Sequence, residues 1–353
     1  MEKSILDKIS AELLRNKKTI CRVSADCTKT PIKYHFQDLE YLIKFLNSLP
    51  KQIELSQKYI LKPKGTVVIG LSKNEPIITS IVPVISAIYA NNKVIVKPSR
   101  ANLKITSLLI KILIDSGIKR ERIKLEYRNK KEIKKLISRA DFVFWMGSYK
   151  VCRKISLICA KLGKKLYFEA EGNDIAIIDN TMKKSYKVAR MLVKEISHHN
   201  GERCQAVKGI YLHKDISKDF KLNFYKEIEL LNIGNYLNSN TELSLGCEFK
   251  ITKFSLNPVF GASVWIEEYS SDLALIKALQ KNGYFLSLSI FSKKPYAKIF
   301  KNLIRKVSFS RININKDPGY IRPDESWGGI KKSGMFGPEG WVNKFSDRNY
   351  INR

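Results

Sequence analysis

The stretch Thr66-Val67-Val68-Ile69-Gly70-Leu71, the helical run Pro76–Ala90 after it, and then Lys93-Val94-Ile95-Val96-Lys97 together decide the fold. The flanking runs are short and β-branched, whereas the middle one is longer and carries apolar residues at three- and four-residue spacing. The same alternation continues outward. Strand-like runs follow at Ile123–Tyr127, Phe142–Met146 and Leu166–Phe168, separated by helical runs at Asn102–Ser116, Lys130–Arg139 and Tyr149–Leu162. Strands joined by crossover helices in this way predict an α/β domain built on a doubly wound parallel sheet.

Such a sheet binds ligands beyond the carboxyl ends of its strands. The residues at those places are Ser72-Lys73-Asn74, Lys97-Pro98-Ser99-Arg100, Gly147-Ser148 and Glu169: an amide, a pair of cations, a Gly-Ser turn opening a helix, and a carboxylate. A second α/β lobe is expected after Glu169, with a strand at Ile175–Ile178, a helix through Met182–Ser197, a cysteine segment around Cys204 and a strand at Ile210–His213. Phe220–Leu245 carries no readable period. Glycines crowd Ser326-Trp327-Gly328-Gly329 and Ser333-Gly334-Met335-Phe336-Gly337, which marks a tight loop. The expected division is 1–170 for a dinucleotide-binding domain, 171–345 for a catalytic domain and 346–353 for a C-terminal tail.

The chain has 353 residues and a formal net charge of +31, from 64 Lys and Arg against 33 Asp and Glu. The basic residues are spread along it. The densest group, Lys130, Lys131, Lys134 and Lys135 around Ile133, Leu136 and Ile137, has the spacing of an amphipathic helix with a solvated face, so no nucleic-acid partner is expected. The charge does favour anionic ligands, phosphorylated cofactors among them. Six cysteines form no C-x-x-C pair and four histidines complete no zinc pattern, so no metal is expected and the thiols are read as free. The first residues lack the apolar core of a signal peptide, and Ile77–Ala90 is too short and too interrupted to span a bilayer. A cytoplasmic protein is expected.

Cys204, in His199-Asn200-Gly201-Glu202-Arg203-Cys204-Gln205-Ala206, supplies a thiol nucleophile, and Glu169 upstream supplies a carboxylate base. These are the two parts that thioester chemistry requires. Arg203, if turned inward, would lower the thiol pKa. Asn74, just before Glu75-Pro76, reads as a helix N-cap or turn residue, a role that can coexist with one for its side-chain amide as a donor.

Further motifs in order resemble the aldehyde dehydrogenase superfamily from about Gly65 to Phe345. Gly70-Leu71-Ser72-Lys73-Asn74-Glu75-Pro76 is similar to that family's Pro-Trp-Asn-x-Pro, and Asn91-Asn92-Lys93-Val94-Ile95-Val96-Lys97-Pro98-Ser99 to Gly-Asn-x-Val-Val-x-Lys-Pro-Ser. Phe144-Trp145-Met146-Gly147-Ser148 resembles Phe-x-Gly-Ser, and Glu169-Ala170-Glu171-Gly172-Asn173 resembles Glu-Leu-Gly-Gly-Lys. Gly201-Glu202-Arg203-Cys204 is similar to Gly-Gln-x-Cys, and Asn257-Pro258-Val259-Phe260-Gly261 to Glu-x-Phe-Gly-Pro. Ser326-Trp327-Gly328-Gly329 with Ser333-Gly334 closes the series.

The resemblance implies a Rossmann-like cofactor domain beside a catalytic domain, and NAD(P)-dependent oxidation of an aldehyde to a carboxylic acid. Cys204 would form the thiohemiacetal and thioester, Asn74 the oxyanion hole, and Glu169 would activate the hydrolytic water, with Glu171 as its competitor. Lys97, Ser99, Arg100, Gly147, Ser148 and Phe260 would bind the cofactor, NADP or NAD. Arg100 stands where many NAD-preferring relatives carry Glu, which favours NADP, although it also suits a solvated helix start.

Several features depart from the family pattern: the family's Gln becomes Glu202, and Gly-Gly after the Glu becomes Ala170-Glu171-Gly172. Pro258 replaces the Glu that holds the nicotinamide ribose, and the segments before Asn74 and between Cys204 and Phe260 are short. These departures keep open an acyl-CoA or acyl-carrier thioester reductase and a catalytically weakened dinucleotide-binding homologue. The expected partners are a small-molecule aldehyde or acyl thioester and a second copy in a homodimer. The C-terminal tail is read as a shortened oligomerisation strand.

Overall fold

The computed structural model describes residues 3–54, 59–129, 132–183, 185–294, 303–335 and 340–350. Thr66–Gly70 is the middle strand of a five-stranded parallel sheet in the order Ile123–Leu125, Lys93–Lys97, Thr66–Gly70, Phe142–Met146, Lys165–Glu169. The chain builds outward from the middle strand in one direction, then returns beside it at Phe142–Met146 and builds the other way. The loops at this reversal point are Leu71–Asn74 and Gly147–Ser148, where a doubly wound sheet opens its ligand crevice.

The crossover helices are Pro76–Tyr89, Leu103–Asp115, Ile133–Ser138 and Tyr149–Lys161. The third of these carries exposed Lys134 and Lys135 opposite buried Ile133, Leu136 and Ile137, whereas Lys130 and Lys131 lie outside the described residues. Pro76–Tyr89 is buried all round, from Pro76 to Ile88. A helix apolar on every face needs cover on every face. Beside the sheet and the helix Leu103–Asp115, that cover comes from the N-terminal helices Lys17–Thr28 and Ile32–Glu54, while a third, Lys3–Arg15, packs on Ile32–Glu54 and Leu103–Asp115.

The chain divides into two compact units: Met1–Glu169 with Arg322–Trp327 and Glu339–Arg353, and Ala170–Ile321 with Gly328–Pro338. This corrects the uninterrupted lobe expected over 171–345. The reason lies in the aromatic residues near the end. Trp341 and Phe345 pack edge-on and tilted against Phe144 (centroids 5.9 and 5.5 Å), and Asn92 Nδ2 donates to the Phe345 carbonyl at 2.9 Å. The following strand, Ser346–Tyr350, pairs antiparallel with Tyr59–Pro63 of the same chain. Residues 351–353 of the expected tail, and Phe336-Gly337 of the glycine-rich loop, lie outside the described residues.

The second unit holds a six-stranded parallel sheet in the order Lys250–Ile251, Ser263–Tyr269, Val207–His213, Asp174–Ile178, Ser287–Phe291, Arg311–Ile314. Its two faces are covered by separate apolar clusters. One lies under the helices Tyr186–Ser197 and Ser217–Glu229, and the other is formed around Leu275, Leu279 and Phe309. The unreadable stretch Phe220–Leu245 resolves into the end of that second helix, anchored by buried Phe220 and Phe224 at four-residue spacing, and then an Asn-rich turn. In the turn the side-chain oxygens of Asn235 and Asn238 accept from the backbone N–H groups of Leu237 and Asn240. No helix among the described residues is long and apolar enough to cross a membrane.

Gly70 is required by close approach. A Cβ there would lie inside the Trp145 indole on the neighbouring strand, and the indole is itself only 5% exposed. Gly70→Ala is therefore expected to cost about 1–3 kcal/mol through forced displacement of that ring. Urea unfolding of the two proteins measures it.

Candidate active-site segments

In the first unit, Asn74 precedes the helix Pro76–Tyr89 in a strained loop. Glu75 adopts φ 47° and ψ 53°, the left-handed region, which is unfavourable for a side chain with a Cβ. Glu75, not Asn74, is the helix N-cap residue, which corrects the capping alternative for Asn74. The Asn74 backbone is fixed instead: its carbonyl accepts from Thr79 Oγ1 at 3.2 Å, while its amide reaches Glu75 Oε2 only at 3.5 Å. Asn102 Nδ2 donates to the Lys73 carbonyl at 2.6 Å, so the Asn74 loop and the turn after Lys97 are tied together at the strand ends.

Lys97 is half-buried at the end of its strand, with Nζ 6.0 Å from the centroid of the Trp145 ring, and burial lowers its pKa from the usual lysine value. Among the described residues, Ser99 Oγ is buried and meets no hydrogen-bond partner. Arg100 is exposed. Ser148 caps the helix Tyr149–Lys161, its hydroxyl accepting from Val151 N at 3.4 Å. The Gly147 amide is committed to the Glu169 carbonyl at 3.1 Å, so it is the helix start opened by Ser148 that presents donors to an anion. A half-buried cation, an unsatisfied hydroxyl and a helix N-terminus follow the two strands that flank Thr66–Gly70, and groups of this chemistry suit the phosphate and ribose of a dinucleotide.

Glu169 ends the outermost strand, 8% exposed. Its Oε1 lies 3.6 Å from Nζ of Lys344, a residue the sequence analysis did not single out. Among 64 cationic residues, the signal that marks this one is its place in the aromatic run Trp341-Val342-Asn343-Lys344-Phe345, where a solvated lysine would be out of place.

In the second unit, the loop before Cys204 contains three consecutive left-handed residues, His199 (φ 49°), Asn200 (φ 57°) and Gly201 (φ 72°). A side chain on Gly201 would collide with the Gly261 backbone, which gives the glycine of this motif a second reason to be there. The strain is held by polar contacts. The Asn200 amide donates to Ser244 Oγ at 3.1 Å and its carbonyl oxygen accepts from Ser244 N at 3.0 Å. Lys208 Nζ, buried, donates to the carbonyls of Gly201 at 2.8 Å and Gly261 at 2.9 Å. Gly172 N donates to the Cys204 carbonyl at 2.9 Å, and Gln205 Nε2 to the Gly319 carbonyl at 3.0 Å. Cys204 itself is partly exposed.

Arg203 Nη1 lies 2.9 Å from Glu195 Oε1 and 3.2 Å from His198 Nδ1, so a buried carboxylate stands against its charge. Phe260 is 65% exposed. At the departure beside it, Asn257 is exposed and its backbone is engaged by Ser255 Oγ. The Ser333-Gly334 motif is explained by the backbone: the Ser333 carbonyl accepts from Ala170 N at 3.0 Å and its hydroxyl donates to the Glu171 carbonyl at 2.9 Å.

The aldehyde dehydrogenase family model matches residues 2–246, well over half of the chain. The chain belongs to the aldehyde dehydrogenase family, a family of NAD(P)-dependent oxidoreductases. It is 21% identical over 326 residues to sulfoacetaldehyde dehydrogenase of Neptuniibacter caesariensis, covering 79% of this chain and 69% of that protein. Across the curated relatives it matches, the chain spans between 31% and 69% of their lengths. In fold it is similar to an NAD-dependent aldehyde dehydrogenase from Sinorhizobium meliloti, with a TM-score of 0.88 at 16% identity over 99% of this chain and 81% of that one. It is also similar to an NADP-dependent enzyme of E. coli, with a TM-score of 0.85 at 14% identity over 99% and 84%.

Burial pushes the Lys208 ammonium down from 10.5 to about 8, against the opposing pull of Asp174, Glu202 and Glu195. The folded protein therefore sheds this proton near pH 8, whereas the unfolded chain holds it to about 10.5. The unfolded state binds more protons in that window, so the contribution of Lys208 to stability rises as pH rises through it. Relative to Lys208→Met, wild type is expected to gain up to roughly 3 kcal/mol across the window. Unfolding titrations of both proteins at its two ends measure the difference.

Proposed function

We propose that this protein oxidises an aldehyde to a carboxylic acid through a covalent thioester on Cys204. The observation that carries the reading is the Cys204 loop: two non-glycine residues, His199 and Asn200, in the left-handed region before Gly201, in a loop held by Asn200, Lys208 and Gly172, are costly unless they place the following thiol. The Cys204 thiolate attacks the aldehyde carbon, and the developing oxyanion is met by the Asn74 amide and the Cys204 backbone N–H. When bound, NADP or NAD supplies the acceptor for the hydride that leaves the tetrahedral carbon, and a thioester remains. Glu169 takes a proton from water, the resulting hydroxide adds to the thioester carbonyl, and the C–S bond breaks to release carboxylic acid and thiolate.

Lys97, Ser99, Ser148 and the helix start it caps hold the dinucleotide, with Gly147 shaping that turn and Phe260 beside the nicotinamide end. The carboxylate of Glu169 favours hydrolysis over transfer to a CoA thiol. Arg100, exposed three residues after Lys97, favours a 2′-phosphate. The six free cysteines support a reducing, cytoplasmic setting, and a homodimer belongs to the same proposal. The first unit is proposed as the dinucleotide-binding part and the second as the part bearing the nucleophile.

Cys204→Ala is expected to abolish reduced-nicotinamide formation over an aldehyde panel while cofactor still binds. Retained turnover overturns the mechanism, and turnover only when CoA is added reassigns the reaction to acyl transfer. Glu169→Gln is expected to slow deacylation by roughly 10²–10⁴-fold, visible by mass spectrometry as an acyl adduct on Cys204. Arg100→Glu is expected to raise KM for NADP by roughly tenfold, equivalent to about 1.4 kcal/mol, with little change for NAD. Steady-state kinetics with each cofactor check this.

A further inference from the structure

Lys344 is 1% exposed, a condition that lysine rarely meets without a partner for its charge. The short helix Trp341–Lys344 carries it inward, because Trp341 is anchored against Phe144 and Trp327, with Phe345 stacked on it. Its ammonium donates to the Trp327 carbonyl at 2.6 Å, lies 5.5 Å from the centre of the Trp341 ring, and stands 3.6 Å from Glu169 Oε1. The carbonyl and the ring face are partial answers to a buried charge, and the carboxylate is the full one. A buried pair of this kind gives little net stability compared with apolar residues of the same volume. The carboxylate that Lys344 faces is the one assigned to deacylation.

We propose that Lys344 is a positioning residue for the hydrolytic step: its ammonium keeps Glu169 ionised and fixes the direction of its carboxyl group, so that the base meets the thioester's water in its proton-accepting form. The proposal rests on Glu169 being that base. Lys344 exchanges no proton or bond in the step; the water proton passes to Glu169 and on to solvent as the acid product leaves. Lys344 takes no part in hydride transfer in this scheme, so the two half-reactions respond differently to loss of the charge.

The test compares wild type with Lys344→Met, Lys344→Gln, Glu169→Gln and the double variant Lys344→Met/Glu169→Gln, using an aldehyde turned over by the wild type. The Gln variant retains a donor for the Trp327 carbonyl and serves if the Met variant does not fold, then taking its place in the double variant. The expected result in the Lys344 variants is a first-turnover burst of reduced nicotinamide near the wild-type rate. Steady-state turnover then falls by roughly 10- to 100-fold, and an acyl adduct accumulates on Cys204. The double variant is expected to be no slower than Glu169→Gln alone, because the lysine acts through that carboxylate. A burst that falls in step with turnover, or losses that multiply in the double variant, overturns the positioning role. Normal deacylation in Glu169→Gln refutes the base assignment and the proposal with it. Slow deacylation there beside normal deacylation in both Lys344 variants refutes the positioning role alone.

Discussion

The packing of Trp341 and Phe345 onto the buried face of the strand Phe142–Met146 is the contact on which the first unit depends. It turns the end of the chain back onto the cofactor sheet, where Phe345 also meets Phe142 and its carbonyl receives Asn92. Aromatic rings of this size bury enough apolar surface to hold a segment far removed in sequence. From that anchor follow the antiparallel pairing of Ser346–Tyr350 with Tyr59–Pro63 and the placement of a buried ammonium at the end of the outermost strand.

The second unit meets a different constraint. A loop of consecutive left-handed residues stores backbone strain ahead of Cys204, and the sheet around it supplies the fixed points that keep it there. Lys208, on the strand Val207–His213, bridges two loops by their carbonyls, and Asn200 exchanges two hydrogen bonds with Ser244. Buried polar groups nearby answer one another, as when Asp174 accepts from Ser287 N, although burial still raises its pKa well above the usual carboxylate value.

The large positive charge proves to have two populations. Most of it is solvated, as on the helix Ile133–Ser138. A few cations are drawn inside and answered individually: Arg203 by Glu195, Lys208 by two carbonyls, and Lys344 by Glu169 and the Trp327 carbonyl. Composition cannot separate these populations, because a lysine in the sequence looks the same whether its ammonium is wet or dry.

The sequence by itself determined the parallel sheet of the first unit and the order of its strands, because β-branched runs and crossover helices between Thr66 and Glu169 are local signals with distinct periods. It also marked Cys204, Asn74, Lys97, Ser148 and Glu169, since each stands at a strand end or in a motif readable within a few residues. Tertiary structure alone decided the division of the chain, with Arg322–Trp327 and the Trp341–Tyr350 segment joining the first unit, because that follows from aromatic packing between distant residues. It likewise decided which charges are paired. Arg203 is paired with Glu195 and Lys344 with Glu169, since the partner of a buried ion is set by the fold that desolvates it and by nothing in its sequence neighbours.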